Sequence, residues 1–252
     1  MVCRDLQLLV ELAEDKGCAM LRLACGSSAD YPDRPRALSA ATSAARRGDL
    51  ILVPTESVYA LATDPFSTRG VAALRMAKGQ SNQIPVPIMV PGAATMSGLA
   101  VHVGLPAARA LMANFWPGLL TLLFEPQSTL AWEMPRDAPL AARMPLHPLL
   151  LELLRATGPL AVTGANVAGM PAAATVDDAV AQFGEALVLA LDVGDLGELT
   201  TGAGARSGAM SSTVVDLRGS VPELVRAGAV TVTELQVICP DLVDTTAGSV
   251  PG

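Results

Sequence analysis

Histidine is almost missing from this chain. Only His102 and His147 occur in 252 residues, so a histidine-based metal site would need carboxylates to complete it. Cysteine is nearly as sparse. Cys3, Cys18, Cys25 and Cys239 include no CxxC pair, which reads as free thiols in a reducing compartment and argues against a disulfide frame or a zinc cluster. Aromatic residues make up 3%, so the core must be built from Ala, Leu, Val and Met. Charged residues reach 16%, against about 25% in ordinary soluble domains. Cations are the minority, 17 against 24 acidic residues. The resulting net charge of −7 opposes strong non-specific nucleic-acid binding but leaves room for a local basic pocket. No apolar run reaches the ~18 residues of a membrane span. No basic segment followed by an apolar core opens the chain, so a cytoplasmic protein without a secretion signal is expected. Missing too are a GxxxxGK[ST] loop, a well-placed GxGxxG, an HExxH and a nucleophile elbow. No covalent catalyst is visible.

What is present is 51% hydrophobic sequence, enough to bury one large core. Residues 1–30 read as an N-terminal extension, with helical periodicity from Asp5 to Glu14 and a linker at Gly26–Pro32. Residues 31–240 read as the folded domain and 241–252 as a flexible tail. The Ala-rich stretch Arg36–Arg47 predicts a helix stopped by Gly48. Ser67 or Thr68 caps a second helix that runs to Lys78 and stops at Gly79. Helices are also predicted over Pro106–Asn114, His147–Ala156 and Thr231–Ile238. Strands are predicted at Leu50–Val53, Leu119–Phe124, Leu140–Met144, Pro159–Thr163, Leu187–Leu191 and Thr213–Leu217. Ile84–Val90 carries Pro85 and Pro87 and is expected to be an edge strand at best. Asp192–Gly208, rich in Gly and Thr, reads as a surface loop. Such irregular alternation predicts an α/β fold with a mixed sheet.

Polar residues gather where apolar strands end. Ile51-Leu-Val-Pro54 runs directly into Thr55, Glu56, Ser57 and Tyr59. Open α/β sheets place ligands at such strand ends. Lys78 is explained by the helix dipole alone, or by a fixed ammonium for phosphate oxygens. Gly164-Ala-Asn166 is either an ordinary strand-to-loop turn or a place where a ligand approaches the backbone. Arg143 suits two-pronged binding of a carboxylate or phosphate, and equally an ion pair with a surface acid. Ser212-Thr213 offers hydroxyls at a strand start, and Ala227-Gly228 makes a turn that aims Arg226. Phe115-Trp-Pro-Gly118 reads as core and turn, since Pro-Gly is strong turn chemistry.

Taken in order, Pro-Thr-Glu-Ser-Val-Tyr (54–59), Lys78, Phe-Trp-Pro-Gly (115–118), Arg-Met-Pro (143–145), Ala-Asn-x-x-Gly (165–169), Ser-Thr-Val-Val-Asp (212–216) and Arg-x-Gly (226–228) resemble the YrdC-type threonylcarbamoyl-AMP synthases. The resemblance spans about residues 33 to 238. It implies a YrdC-like twisted mixed open sheet with flanking helices and a large concave cavity. It also implies condensation of L-threonine, bicarbonate and ATP, with Mg²⁺ on the phosphates, into threonylcarbamoyl-adenylate and pyrophosphate. A downstream transferase would then move the threonylcarbamoyl group to adenosine 37 of tRNA. By motif position, Thr55, Tyr59, Arg143 and Ser212 fall on the amino-acid side. Lys78, Gly164, Asn166, Ser212 and Arg226 fall around the nucleotide. Lys78 and Arg143 are the implied catalytic pair.

The chain departs from the family pattern at several cavity positions. Lys-x-Arg reads Lys78-Gly79-Gln80, Ser-x-Asn reads Gly164-Ala165-Asn166, and Tyr-Gly-Leu reads Tyr59-Ala60-Leu61. Ala227 replaces a proline, and Met89 stands where a histidine is common. Two alternatives follow. One is a relative that makes a carbamoyl- or carbamate-adenylate from another small amine, in secondary metabolism. The other is a non-catalytic nucleotide- or RNA-binding module.

Overall fold

Short apolar segments separated by capped helices give this chain its architecture. The computed structural model describes residues 20–26, 32–81, 84–132, 135, 137–197 and 211–246. Among them lie eleven strands: β1 (Leu21–Ala24), β2 (Ile51–Pro54), β3 (Tyr59–Thr63), β4 (Ile88–Met89), β5 (Leu120–Phe124), β6 (Leu140–Arg143), β7 (Leu160–Gly164), β8 (Leu189–Asp192), β9 (Thr213–Asp216), β10 (Glu223–Arg226) and β11 (Val243–Asp244). The helices are α1 (Arg34–Arg46), α2 (Thr68–Ala77), α3 (Pro106–Phe115), α4 (Pro148–Thr157), α5 (Val176–Phe183) and α6 (Val232–Ile238).

Local chemistry explains the helix ends. The Ser67 hydroxyl accepts from the Gly70 amide and starts α2. Thr175 with Asp178 and Thr231 with Glu234 form capping boxes at α5 and α6. In α1, Ala37, Ala41, Ala44 and Ala45 form one buried face. That helix packs against α4, whose Leu149, Leu150, Leu153 and Leu154 are fully buried. A two-pronged pair from Arg34 to Glu152 (3.1 and 2.9 Å) joins them.

All strands join one mixed sheet, in the order β1-β8-β2-β3-β7-β4-β6-β5-β9-β10-β11. Antiparallel pairing of β2 with β3 and of β3 with β7 puts the turn after Pro54 beside the end of β7. Two expectations change. The segment with Pro85 and Pro87 is no edge strand, because β4 lies between β7 and β6. It fits there because both prolines precede the two paired residues, and Pro87 joins through its carbonyl, which accepts the Val162 amide (2.9 Å). Order also crosses both expected domain boundaries. β1 pairs with β8, and β11 pairs with β10 while Leu242 is buried beside it. The helix expected from Asp5 to Glu14, the linker centre, most of the loop after Gly197 and the last six residues lie outside the described residues.

Candidate functional site

Alternation along the strands builds a cavity of about 390 Å³ on one face of the sheet. Alternate positions supply most of the lining, Val58 and Ala60, Leu119, Thr121 and Leu123, Ala141 and Arg143, Val162 and Gly164, Ser212 and Val214, and Ala142 and Thr163 reach it from between them. The apolar members form a floor. Thr55, Glu56, Thr121, Arg143, Ser212 and Arg226 supply the polar groups. Such a mixture suits a ligand that has both an apolar part and charges.

Each polar group is held by its strand end. The Thr55 hydroxyl and amide both donate to the Val58 carbonyl (2.6 and 3.0 Å), closing the β2–β3 turn. That turn presents Glu56 to Arg143, the last residue of β6, at 3.1 Å. The second Glu56 oxygen accepts the Leu146 amide. Arg143 is therefore an oriented cation with its charge balanced. Met89 Sδ lies 4.0 Å from its Nη2.

Arg226 is differently placed. A register shift between Leu224 and Arg226 in the β9–β10 ladder turns the side chain toward Ser212. Its Nε and Nη2 donate to the Ser212 carbonyl (3.1 and 2.8 Å), and Nη2 also donates to Ser212 Oγ (2.9 Å). Ser212 Oγ lies 2.8 Å from Thr121 Oγ1. No carboxylate pairs with Arg226 among the described residues. Partial burial lowers its pKa from the ordinary arginine value, yet an arginine stays protonated.

Three expected site residues, Tyr59, Lys78 and Asn166, do not line the cavity. Tyr59 is fully buried on the opposite face of β3. Its hydroxyl donates to the Gly194 carbonyl (2.9 Å) and accepts the Val193 amide (3.0 Å), and burial raises its pKa. The alternation that brings Val58 and Ala60 to the cavity turns Tyr59 away. Lys78 is 7% exposed. Its ammonium donates to the Gly164 carbonyl (2.8 Å), to Asn166 Oδ1 (3.1 Å) and to the Asn166 carbonyl. Asn166 stands with Lys78 and does not line the cavity, whereas Gly164 does. Burial lowers the Lys78 pKa.

Thr121 and Thr163 also line the cavity, and sequence reasoning gave neither a role; Glu56 lines it too, and was read there as one of the polar groups at the strand end. The available signal was Thr121, a lone hydroxyl inside the apolar strand Leu-Thr-Leu-Leu-Phe. Glu56 is engaged by Arg143 and Leu146. No group of three or more His, Cys, Asp or Glu that could hold a metal occurs among the described residues.

A Mycobacterium leprae protein, provisionally named a threonylcarbamoyl-AMP synthase, is 38% identical over 208 residues, 82% of this chain and 90% of its own length. The Bacillus subtilis threonylcarbamoyl-AMP synthase is 30% identical over 212 residues, and the match spans 80% of this chain and 56% of that protein. The crystal structure of Pyrococcus abyssi Sua5 complexed with L-threonine shares the fold, with a TM-score of 0.76 at 24% identity over 92% of this chain and 65% of that one. The Sua5/YciO/YrdC family model, described as "Telomere recombination", matches residues 43–228. That match takes in both sides of the cavity, from the strand before Thr55 to the glycine after Arg226, and the chain is a member of the Sua5/YciO/YrdC family.

Proposed function

We propose that this protein is a threonylcarbamoyl-AMP synthase, which condenses L-threonine, bicarbonate and ATP and releases pyrophosphate. The observation that carries this reading is the M. leprae relative, aligned over 90% of its length. The cavity supports it with a balanced cation, Arg143, and an unbalanced one, Arg226.

In the reaction the threonine amine attacks the bicarbonate carbon, and loss of water leaves a carbamate. A carbamate oxygen then attacks the α-phosphorus of ATP, and the bond to the leaving pyrophosphate breaks. The residues act by positioning and by charge neutralisation. Arg226 and Ser212 would hold the nucleotide phosphates, with Gly164 allowing close approach. Arg143, oriented by Glu56, would take the amino-acid carboxylate, with Thr55 beside it. The described residues do not fit a protein-held Mg²⁺, since the cavity carboxylate Glu56 is engaged. A Mg²⁺ ion would instead arrive on the triphosphate itself. The product is a mixed anhydride, which suits hand-over to a transferase that modifies tRNA adenosine. A cytoplasmic setting supplies ATP and tRNA.

The test is pyrophosphate release with ATP, bicarbonate and a panel of amines, with products identified by mass spectrometry. L-threonine is expected to give threonylcarbamoyl-adenylate. Release with another amine and none with threonine would overturn the assignment.

Tyr59 gives a second expectation. Tyr59→Phe leaves the buried Val193 amide without its acceptor, at a cost of about 1–3 kcal/mol. The thermal midpoint should fall by about 2–12 °C. The KM for L-threonine should stay within twofold of wild type, because the hydroxyl points away from the cavity. A large rise in KM with no loss of stability would place Tyr59 on the substrate.

A further inference from the structure

A sulfur flanks the cavity's balanced cation. In the β4–β6 ladder the cross-strand partner of Arg143 is Met89, whose Sδ lies 4.0 Å from Nη2 of the guanidinium. Both side chains line the cavity, and Met89 is 8% exposed. A thioether accepts hydrogen bonds only weakly, and its flexible, polarisable chain adapts to apolar groups. Pro87 and Ile88, which precede it, line the same stretch and bring no polar side chain. The hydroxyls of the cavity lie elsewhere. Thr55 Oγ1 donates to the Val58 carbonyl (2.6 Å), and Thr121 and Ser212 are bonded to each other (2.8 Å). Ser57 comes from the β2–β3 turn, and Thr163 lies further along β7 than Leu160, the residue that pairs with Met89. Glu56 uses one oxygen on Arg143 and the other on the Leu146 amide.

We propose that Met89 sets the choice of amino acid, and that the site takes small β-branched amino acids with an apolar side chain, valine foremost, about as well as threonine. This deepens the proposed function and rests on it, since that reading puts the amino-acid carboxylate on Arg143. A carboxylate held by the guanidinium leaves the α-carbon close behind it, so the side chain must pass the groups that flank Arg143. On the β4 side those groups are the sulfur and methylenes of Met89. Threonine and valine have nearly the same shape and differ by a hydroxyl in place of a methyl. A site built to hydrogen-bond a hydroxyl rejects the analogue without it by about 10⁴–10⁵, because its own polar groups are then left unpaired. An apolar wall has no such group to leave unpaired when valine binds. It also rejects an added hydroxyl only weakly, by about 10² at most. Strong preference in either direction therefore has no source on this wall.

The test compares kcat/KM for pyrophosphate release by the full-length protein with L-threonine and with L-valine, in the presence of ATP and bicarbonate, with the adenylates identified by mass spectrometry. In wild type the two should lie within about tenfold of each other. Met89→Gln keeps the length of the side chain and adds an amide that can meet a hydroxyl, so the threonine-to-valine ratio should rise about tenfold or more. Met89→Ala opens space on the same wall, and the isoleucine-to-valine ratio should rise by about tenfold, the range of one methylene in an apolar pocket. Each variant is assayed below its own thermal midpoint, and the wild-type ratio tests the proposal even where a variant does not fold. A wild-type preference for threonine above about a hundredfold would overturn the proposal. So would ratios that stay within about twofold of wild type in both variants. Calorimetry of threonine and valine with the free protein separates this outcome from failure of the synthase reading. Pyrophosphate release with threonine and none with valine leaves the synthase standing and removes the role of Met89. Comparable binding of both amino acids, shifted toward isoleucine by Met89→Ala but without pyrophosphate release, leaves Met89 its role and removes the synthase. Binding of neither removes both.

Discussion

Replacing Arg226 by alanine should lower kcat/KM for ATP by about tenfold to a hundredfold, with little change in thermal midpoint. A hydrogen bond to a charged group contributes about 1.5–3 kcal/mol, and ~1.4 kcal/mol is a factor of ten. Arg226 is exposed on the short strand β10 and makes its bonds to Ser212, so its removal creates no buried cavity. Its role is electrostatic. Among the cavity cations, Arg143 is balanced by Glu56 at 3.1 Å, while Arg226 meets only neutral oxygens. The alanine variant therefore removes net positive charge from the wall, where Arg143→Ala would instead leave Glu56 without its partner. Arg226→Lys should fall between wild type and alanine, because an ammonium keeps the charge but loses the fork that grips Ser212 and a phosphate together. Initial rates of pyrophosphate release against ATP concentration decide the matter. A change smaller than twofold would assign the anion site to another group.

Much of this arrangement was legible from the sequence, and the rest was hidden for physical reasons. Helix α2 announced itself by Ser67 at its start and Gly79 at its end. The strands β5, β7 and β9 showed as short apolar runs. β3 did not, because Tyr59–Thr63 is buried on both faces and shows no alternation to read. β4 looked like an edge because of its prolines, yet two paired residues suffice to place it centrally. Motif order brought Thr55, Arg143, Gly164, Ser212 and Arg226 onto the page as separate signals, and the sheet order gathers them around one cavity. The hydrogen bonding of Lys78 to the turn after β7 was invisible to motif reading. Its acceptors lie 86 and 88 residues away in sequence and are mostly main-chain oxygens, which any residue type supplies. Tyr59 was misleading for a related reason. A polar residue next to a strand end reads as a ligand contact, but strand parity decides which face it serves.

The same β9–β10 region yields the largest expected structural effect, at Gly228. A Cβ added there would lie 2.4 Å from the Ser211 carbonyl oxygen, 2.5 Å from the Thr213 nitrogen and 2.6 Å from the Ser212 carbonyl carbon. All three are main-chain atoms, so no side chain can swing aside. The surrounding backbone is laced across the same gap. The Ala229 amide donates to the Ser211 carbonyl (3.0 Å), and Thr213 Oγ1 exchanges two bonds with Val230 (2.7 and 2.9 Å). Gly228→Ala must break some of these bonds or push Ser212 and Arg226 apart. Overpacking typically costs about 1–3 kcal/mol and more when backbone must move, so a loss at or above the upper end is expected. For a chain of this size that lowers the thermal midpoint by about 6–12 °C. At a temperature where the variant is still folded, the KM for ATP should rise as well, because displacement of Ser212 misaims the Arg226 fork. Ala227→Ser, one residue earlier and exposed, should change neither quantity and serves as the control. A Gly228→Ala protein with wild-type stability and wild-type KM would mean that the segment after β10 can move away from the start of β9 without disturbing the cavity, and the close approach of these two segments would then have no part in catalysis.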